Sequence, residues 1–181
     1  MMIKVDDIIT LKKLKHTDAS AIFNIIDSQR DYLGKWLPFV AFTKVLADSE
    51  QFVNSVLNTP IERLEFTFAI HTNDILIGII GVKNTDKLNK KAEIGYWLSK
   101  EYQGQGIITK SVAKLCDFIF NKLGFNRVEI KCAVGNAPSN GVPKRLGFTF
   151  EGIERQGEWI RDNIYYDIEV YSKLKSEELN K

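Results

Sequence analysis

Between Leu64 and Ser99 the apolar residues recur on every second position, and between Ile108 and Leu123 on every third or fourth. A period of two builds a strand with one buried face, whereas a period near 3.6 builds a helix with one apolar stripe. The switch therefore demands several consecutive strands, then a long amphipathic helix. Leu64, Phe66, Phe68 and Ile70 alternate with polar neighbours, and His71-Thr72-Asn73-Asp74 interrupts them before Ile75, Ile77 and Ile79 resume. This predicts a hairpin. The polar stretch from Asn84 to Lys91 predicts a second turn, and Ala92 to Ser99 a third antiparallel strand. Gly124 suits the C′ position that stops the helix. Val128, Ile130, Cys132 and Val134 then alternate as a strand, and a crossover of this length is expected to set it parallel to the Ala92 strand.

Upstream, Ile8 to Leu14 reads as a first strand. Thr17 and Asp18 offer cap oxygens ahead of a helical stripe of Ile22, Phe23, Ile25, Ile26 and Leu33, and Asp48 can cap a second helix running through Leu57. Glu154 to Asn163 is too polar to show a period and is expected to be a loop. No repeat, low-complexity tract or Pro/Gly-rich linker divides the chain, so residues 1–181 are expected to form a single domain. The 44% hydrophobic content is enough for such a domain to fold around its own core without staples.

Lys plus Arg number 25 against 23 for Asp plus Glu, and neither sign is gathered into a block, which argues against nucleic acid or membrane as primary partners. Cys116 and Cys132 lack CxxC spacing, and only His16 and His71 could add imidazole, so no metal site is expected. Cys132 shares the apolar face of its strand and reads as a small core residue. The longest apolar run, Ile75 to Val82, falls far short of the roughly 18 residues of a membrane span, and no leader pattern opens the chain. A cytoplasmic protein with reduced thiols is expected.

The chemistry centres on Tyr102-Gln103-Gly104-Gln105-Gly106-Ile107-Ile108-Thr109. Glycines let backbone approach a ligand closely, and a helix N-terminus offers N–H groups with a partial positive charge, a combination that suits a pyrophosphate. Two other phosphate motifs do not fit. A P-loop needs Gly directly before Lys-Ser, where Thr109 stands, and a dinucleotide fingerprint needs Gly or Ala at that same position.

The neighbours of this loop give it a more specific setting. Arg30-Asp31-Tyr32-Leu33-Gly34-Lys35-Trp36-Leu37-Pro38, Glu93-Ile94-Gly95-Tyr96-Trp97-Leu98, Gln103 to Gly106, Asn136-Ala137-Pro138-Ser139 and Arg145-Leu146-Gly147-Phe148 occur in that order. Together they resemble the GNAT acetyltransferases, in particular the Rim-type ribosomal-protein N-terminal acetyltransferases, over nearly the whole chain. Gln103 to Gly106 matches the first four positions of the superfamily's Gln/Arg-x-x-Gly-x-Gly/Ala signature, and Ile108 departs from the sixth.

The resemblance implies an α+β (mixed α/β) GNAT fold: a mostly antiparallel twisted sheet with a parallel split at the cofactor site, and helices on both faces. It implies acetyl-coenzyme A as co-substrate, its pantetheine arm beside Tyr96, Trp97 and Leu98. The diphosphate then meets Gln103, Gly104, Gln105, Gly106, Ile107, Ile108 and Thr109, with Asn136 as an added contact. Ser139 and Glu158 correspond to the family's acid and base, and Glu93 is the alternative base. Tyr32, Trp36 and Phe39 fall on the acceptor side, where Trp97 and Trp159 are further candidate walls. Relatives of this type commonly pair, which implies a homodimer. Acceptor chemistry favours a protein N-terminus, because an α-amino group, with a pKa near 7.7–8.0 against about 10.4 for Lys, is far easier to deprotonate. A small amine such as a polyamine or an amine antibiotic, and a non-catalytic acetyl-coenzyme A-binding module, remain as alternatives.

Overall fold

The computed structural model describes residues 1–178. Its eight strands form one sheet in the order β1-β2-β3-β4-β5-β6-β8-β7. The strands are β1 (Met2–Lys4), β2 (Ile9–Lys13), β3 (Phe66–Thr72), β4 (Ile75–Asp86), β5 (Lys91–Leu98), β6 (Arg127–Ala133), β7 (Thr149–Arg161) and β8 (Ile164–Leu174). The helices are α1 (Asp18–Ser28), α2 (Arg30–Gly34), α3 (Leu46–Leu57), α4 (Ile107–Asn121) and α5 (Ala137–Arg145), with short 3-10 turns between. The fold is the mixed α/β one expected. The chain packs as two compact units, one of Met1–Gly81 with Tyr96–Ile107 and the other of Val82–Gly95 with Ile108–Lys181.

In the first unit, β2 pairs antiparallel with both β1 and β3, Leu11 lying opposite Ile70. A core of Leu14, Ala19, Ile22, Ile26, Leu33, Val40, Val53, Ala69, Leu76 and Ile79 draws residues from α1, α2, α3, β3 and β4, so the helical stripe expected behind Asp18 is the face that packs. The β3–β4 turn places Asn73 and Asp74 at φ 46° and 64°, both left-handed, as a two-residue type I′ hairpin requires. Helix starts differ in detail from expectation. Thr17 makes no side-chain cap bond; Asp18 accepts instead from the Lys15 N–H at 2.8 Å. Asp48 does cap, but from inside its helix, reaching back to the N–H groups of Lys44 and Val45 at 2.7 and 2.9 Å, which hold its carboxyl below the usual range. Leu64 was expected on a strand and instead sits at φ 55°, left-handed, with the strand starting at Phe66.

In the second unit, Val112, Leu115 and Ile119 of α4 are fully buried, and Gly124 at φ 73° turns the chain out of the helix. The parallel pairing of β5 with β6 joins Lys91, Ala92 and Glu93 to Arg127, Val128 and Glu129, three pairs, although both strands continue beyond them. Val134 lies past the end of β6 and is exposed, not part of its apolar face. The largest departure is Glu154 to Asn163, expected as a loop. It is strand through Arg161, paired with β8, with Asp162 and Asn163 at φ 41° and 61° forming another two-residue turn. β7 buries only Ile160, so no apolar alternation marks it. Polar links hold this part of the sheet instead: Arg127 binds Glu129 at 2.9 Å and forks onto Glu151, which also accepts from Ser172 at 2.7 Å. The Arg127 bonds hold the Glu151 carboxyl down at about 2.

Among the described residues no group of three or more His, Cys, Asp or Glu could hold a metal ion, and no helix is long and apolar enough to cross a membrane. Among the glycines, Gly78 makes the closest approach to neighbouring backbone. A Cβ there would lie 2.4 Å from the Trp97 carbonyl oxygen and 3.0 Å from Leu98 Cα, both backbone, so β4 and β5 would have to part. Gly78→Ala is expected to destabilise the fold by about 1–3 kcal/mol, the range for overpacking. Chemical denaturation measures it, and an unchanged midpoint would show that the strands separate without cost.

Candidate functional site

The glycine loop follows β5 and a 3-10 turn, and it opens α4 at Ile107. Gly104 and Gly106 take φ 73° and 72°, a left-handed conformation that glycine adopts without the strain a Cβ brings. Residues 103–106 are exposed, while Ile107 is buried and anchors the helix start. The first turn of any α-helix has N–H groups with no acceptor inside the helix, so this is a loop shaped to bring backbone amides to an anion. Ile108 lies inside the first turn of α4, where an L side chain is readily accommodated.

The α1–α2 corner holds the approach to this loop. Gln29 donates from Nε2 to Ser99 Oγ and accepts from the Lys100 N–H, each at 2.8 Å. The Tyr32 hydroxyl donates to the Leu98 carbonyl at 3.3 Å and accepts from Gln103 Nε2. Burial pushes the Tyr32 phenol above its ordinary value. Tyr32, Leu98 and Gln103, assigned to acceptor and cofactor sides by the sequence pattern, are thus one hydrogen-bonded set. Trp97 is half-buried against the core of the same unit. Trp36 is half-buried, with Lys35 Nζ 4.7 Å from its ring centre, and Phe39 is exposed.

In the second unit, the Thr109 hydroxyl accepts from Arg145 Nε and Nη2 at 3.2 and 3.1 Å, which brings a guanidinium to the first turn of α4. Asn136 is the N-cap of α5: its Oδ1 accepts from the Ser139 N–H at a long 3.4 Å, leaving its NH2 as the group to offer a ligand. Since Asn136 supplies the cap, Ser139 is not the capping residue. Its hydroxyl lies 3.2 Å from the Cys132 thiol. Cys132 is buried, as a core residue should be, and also lines the Ser139 hydroxyl.

Glu158 stands on β7 opposite Tyr166. The residue is exposed. Burial pushes its carboxyl above the ordinary carboxylate value; the Lys83 ammonium opposes this and the Glu93 carboxylate adds to it. Glu93 is itself buried at 8% exposure, with one oxygen 3.0 Å from Lys83 Nζ and the other accepting from Asn84 Nδ2 at 2.9 Å. Both Glu93 oxygens are thus already engaged, whereas Glu158 is the carboxyl that burial raises. Trp159, next to Glu158, is exposed. Lys83, Asn84, Gly95 and Arg145 were given no site role from the sequence. A glycine inside a strand pattern is a mark of close approach, and Gly95 carried that signal.

A family pattern described as an acetyltransferase (GNAT) domain matches residues 9–149. The putative ribosomal N-acetyltransferase YdaF of Bacillus subtilis (strain 168) is 38% identical over 176 residues, 96% of this chain and 95% of that one. The ribosomal-protein-serine acetyltransferase of Escherichia coli (strain K12) is 31% identical over 172 residues, 95% and 96% of the two chains. Among solved structures, RimL, a ribosomal L7/L12 α-N-protein acetyltransferase in complex with coenzyme A, superposes with a TM-score of 0.90 at 25% identity, covering 96% of this chain and 98% of that one. With a family pattern spanning most of its length and full-length relatives above 30% identity, the chain belongs to the GNAT acetyltransferase family.

Proposed function

We propose that this chain transfers the acetyl group of acetyl-coenzyme A to the N-terminal α-amino group of a ribosomal or similar protein, and that residues 1–181 act as one acetyltransferase domain. The observation that carries the donor half is the exposed loop in which Gly104 and Gly106 adopt left-handed backbone directly before α4. The amides of Gln105 to Thr109 hold the diphosphate, Gln103 and Gly104 shape the approach, and Arg145 adds charge. The backbone of Tyr96, Trp97 and Leu98, past the short ladder with β6, offers the pantetheine arm a strand edge to extend, with the Asn136 amide as an added donor. When bound, the thioester supplies an activated acetyl group.

The acceptor half rests on kinship with enzymes named for ribosomal proteins and on amine acidity. A protein α-amino group is partly neutral at cellular pH and asks little of a base. Glu158 takes the proton from the incoming ammonium, directly or through one water, because burial has made its carboxylate more basic than usual. Ser139 offers its hydroxyl to the departing thiolate. Glu93, paired at both oxygens, serves to set the charge around the base. Tyr32, Trp36 and Phe39 lie on the acceptor side, Tyr32 joining that side to the loop.

The enzyme with acetyl-coenzyme A should release thiol with N-terminal peptides well above lysine peptides or polyamines. Glu158→Gln and Ser139→Ala should slow that release while cofactor affinity holds; loss of a general acid or base typically costs ~10²–10⁴-fold. Preference for a polyamine would move the chain to the small-amine class, and binding without thiol release from any amine would make it a non-catalytic module.

Gly106→Val forces a β-branched residue into the left-handed region and puts a side chain where the cofactor's phosphates approach. Calorimetry should show acetyl-coenzyme A binding weakened at least tenfold in a folded variant. Unchanged affinity would remove the diphosphate from this loop.

The same reading carries a cytoplasmic homodimer. Exposed Phe39, Phe42, Val45, Leu46 and Phe52 supply apolar surface for pairing. Light scattering should give twice the 20.7 kDa of one chain, and a monomer mass at every concentration would exclude the dimer.

A further inference from the structure

In an α-helix a long side chain leans back toward the N-terminus and lies over the residue one turn earlier. Arg145 ends α5, so the residue beneath its side chain is Gly141. A Cβ placed on Gly141 would stand 2.7 Å from Arg145 Nη1, 3.6 Å from its Cζ and 3.7 Å from its Nη2, and these are the three nearest atoms it would meet. The guanidinium thus occupies the space that a side chain at this position would take. Glycine is an unfavourable residue inside a helix, and α5 already holds Pro143, so helix formation does not ask for a glycine here. What Gly141 provides is room.

From that room Arg145 Nε and Nη2 reach Thr109 Oγ1 at 3.2 and 3.1 Å, one edge of the guanidinium converging on a single oxygen. Lys144, the neighbouring cation, turns elsewhere: its Nζ lies 3.8 Å from Glu169 and 5.8 Å from the centre of the Tyr171 ring. Thr109 stands in the first turn of α4, where backbone N–H groups have no acceptor within the helix. A hydroxyl has two lone pairs and one proton. With Arg145 donating twice to the oxygen, the proton is what Thr109 has left to give. The bond also leaves the guanidinium's charge in place, because the hydroxyl is neutral. A donor hydroxyl, helix-start amides and a fixed positive charge lie together, and a phosphate oxygen is the ligand chemistry that suits all three.

We propose that Gly141 is a positioning residue for the cofactor: it seats Arg145 on Thr109, and the guanidinium and the Thr109 hydroxyl together clamp a phosphate of coenzyme A. The proposal rests on the reading that places the phosphates at the start of α4. It gives Thr109 a side-chain role beside that of its amide, and it gives a place in binding to a residue that itself touches no ligand. A methyl group at Gly141 would displace the guanidinium and little else, because the atom in its way is the far end of a flexible side chain. Helix formation would gain from the same change. Affinity and stability should therefore move apart in one substitution.

The test is calorimetry of acetyl-coenzyme A binding, with the melting temperature of each variant measured on the same samples without ligand. Arg145→Gln should weaken binding by about tenfold, the scale of a lost hydrogen bond to a charged group, and by less as salt is raised. Thr109→Val, which keeps the branched shape without the hydroxyl, should also weaken it. Gly141→Ala should lower affinity nearly as far as Arg145→Gln, with a melting temperature equal to wild type or higher. Because the glycine acts through the arginine, the double variant Gly141→Ala/Arg145→Gln should bind no more weakly than Arg145→Gln alone. The dephospho form of acetyl-coenzyme A, which lacks the ribose phosphate, separates the two sources of phosphate. An Arg145→Gln penalty that persists with it assigns the clamp to the diphosphate, and one that disappears assigns it to the ribose phosphate. Unchanged affinity in Arg145→Gln or Thr109→Val would overturn the clamp, while weakened binding in Gly106→Val would still uphold the loop. Unchanged affinity in Gly141→Ala, a loss seen only with a lowered melting temperature, or a further loss in the double variant would overturn the role of the glycine. Normal binding by Gly106→Val would instead remove the loop reading on which the clamp rests.

Discussion

Two parallel strands cannot be joined by a tight turn; the chain must travel back along the sheet before the second can begin. β5 and β6 are the parallel pair here, and α4 is the return path. That requirement places a helix N-terminus just beyond the end of β5, with unsatisfied amides at its first turn, and leaves the loop to choose what those amides meet. The glycines at 104 and 106 make that choice by letting exposed backbone bend in a sense other residues resist. A helix N-terminus suited to an anion follows from connectivity as much as from any side chain.

The brevity of the β5–β6 ladder belongs to the same constraint. Pairing ends at Glu93, the residue whose carboxylate is buried and doubly held. A strand that leaves its partner after three pairs keeps backbone groups for another occupant, and the point of departure is marked by charge. The strand that carries the buried Glu93 carboxylate is thus also the one that leads into the glycine loop.

Where one face of an element is apolar, its sequence announced it: α4 carries an unmistakable period, and so does the first-unit core stripe of Ile22, Ile26 and Leu33; β3 and β4 read as alternating strands but bury consecutive residues, and Ile75 is exposed. β7 could not be read this way, because its neighbours are held by Arg127, Glu151, Lys131 and Glu154 in place of a buried apolar face. The better clue was its turn, Asp162-Asn163, a pair that tolerates left-handed backbone and had already ended β3 in the order Asn73-Asp74. Leu64 misled for the opposite reason, an apolar residue held in a turn conformation. The glycine loop was legible because glycine names its own backbone requirement. The meeting of Lys83 and Asn84 on one carboxylate was not, since it depends on a φ angle that an asparagine permits and does not demand.

The hydrogen bonds that link Gln29 and Tyr32 with Ser99, Lys100, Leu98 and Gln103 have a thermodynamic corollary. A helical corner and a ligand loop that share bonds share their fluctuations, so an order imposed on one lowers the entropy still to be lost by the other. Coupling of this kind is reciprocal: whatever stiffens the loop favours the ordered corner, and whatever grips the corner favours the ordered loop by the same factor. A ligand held by either part would then be felt at the other without direct contact. Slowed amide exchange in α1 and α2 on filling the loop is the outward sign of that conversation.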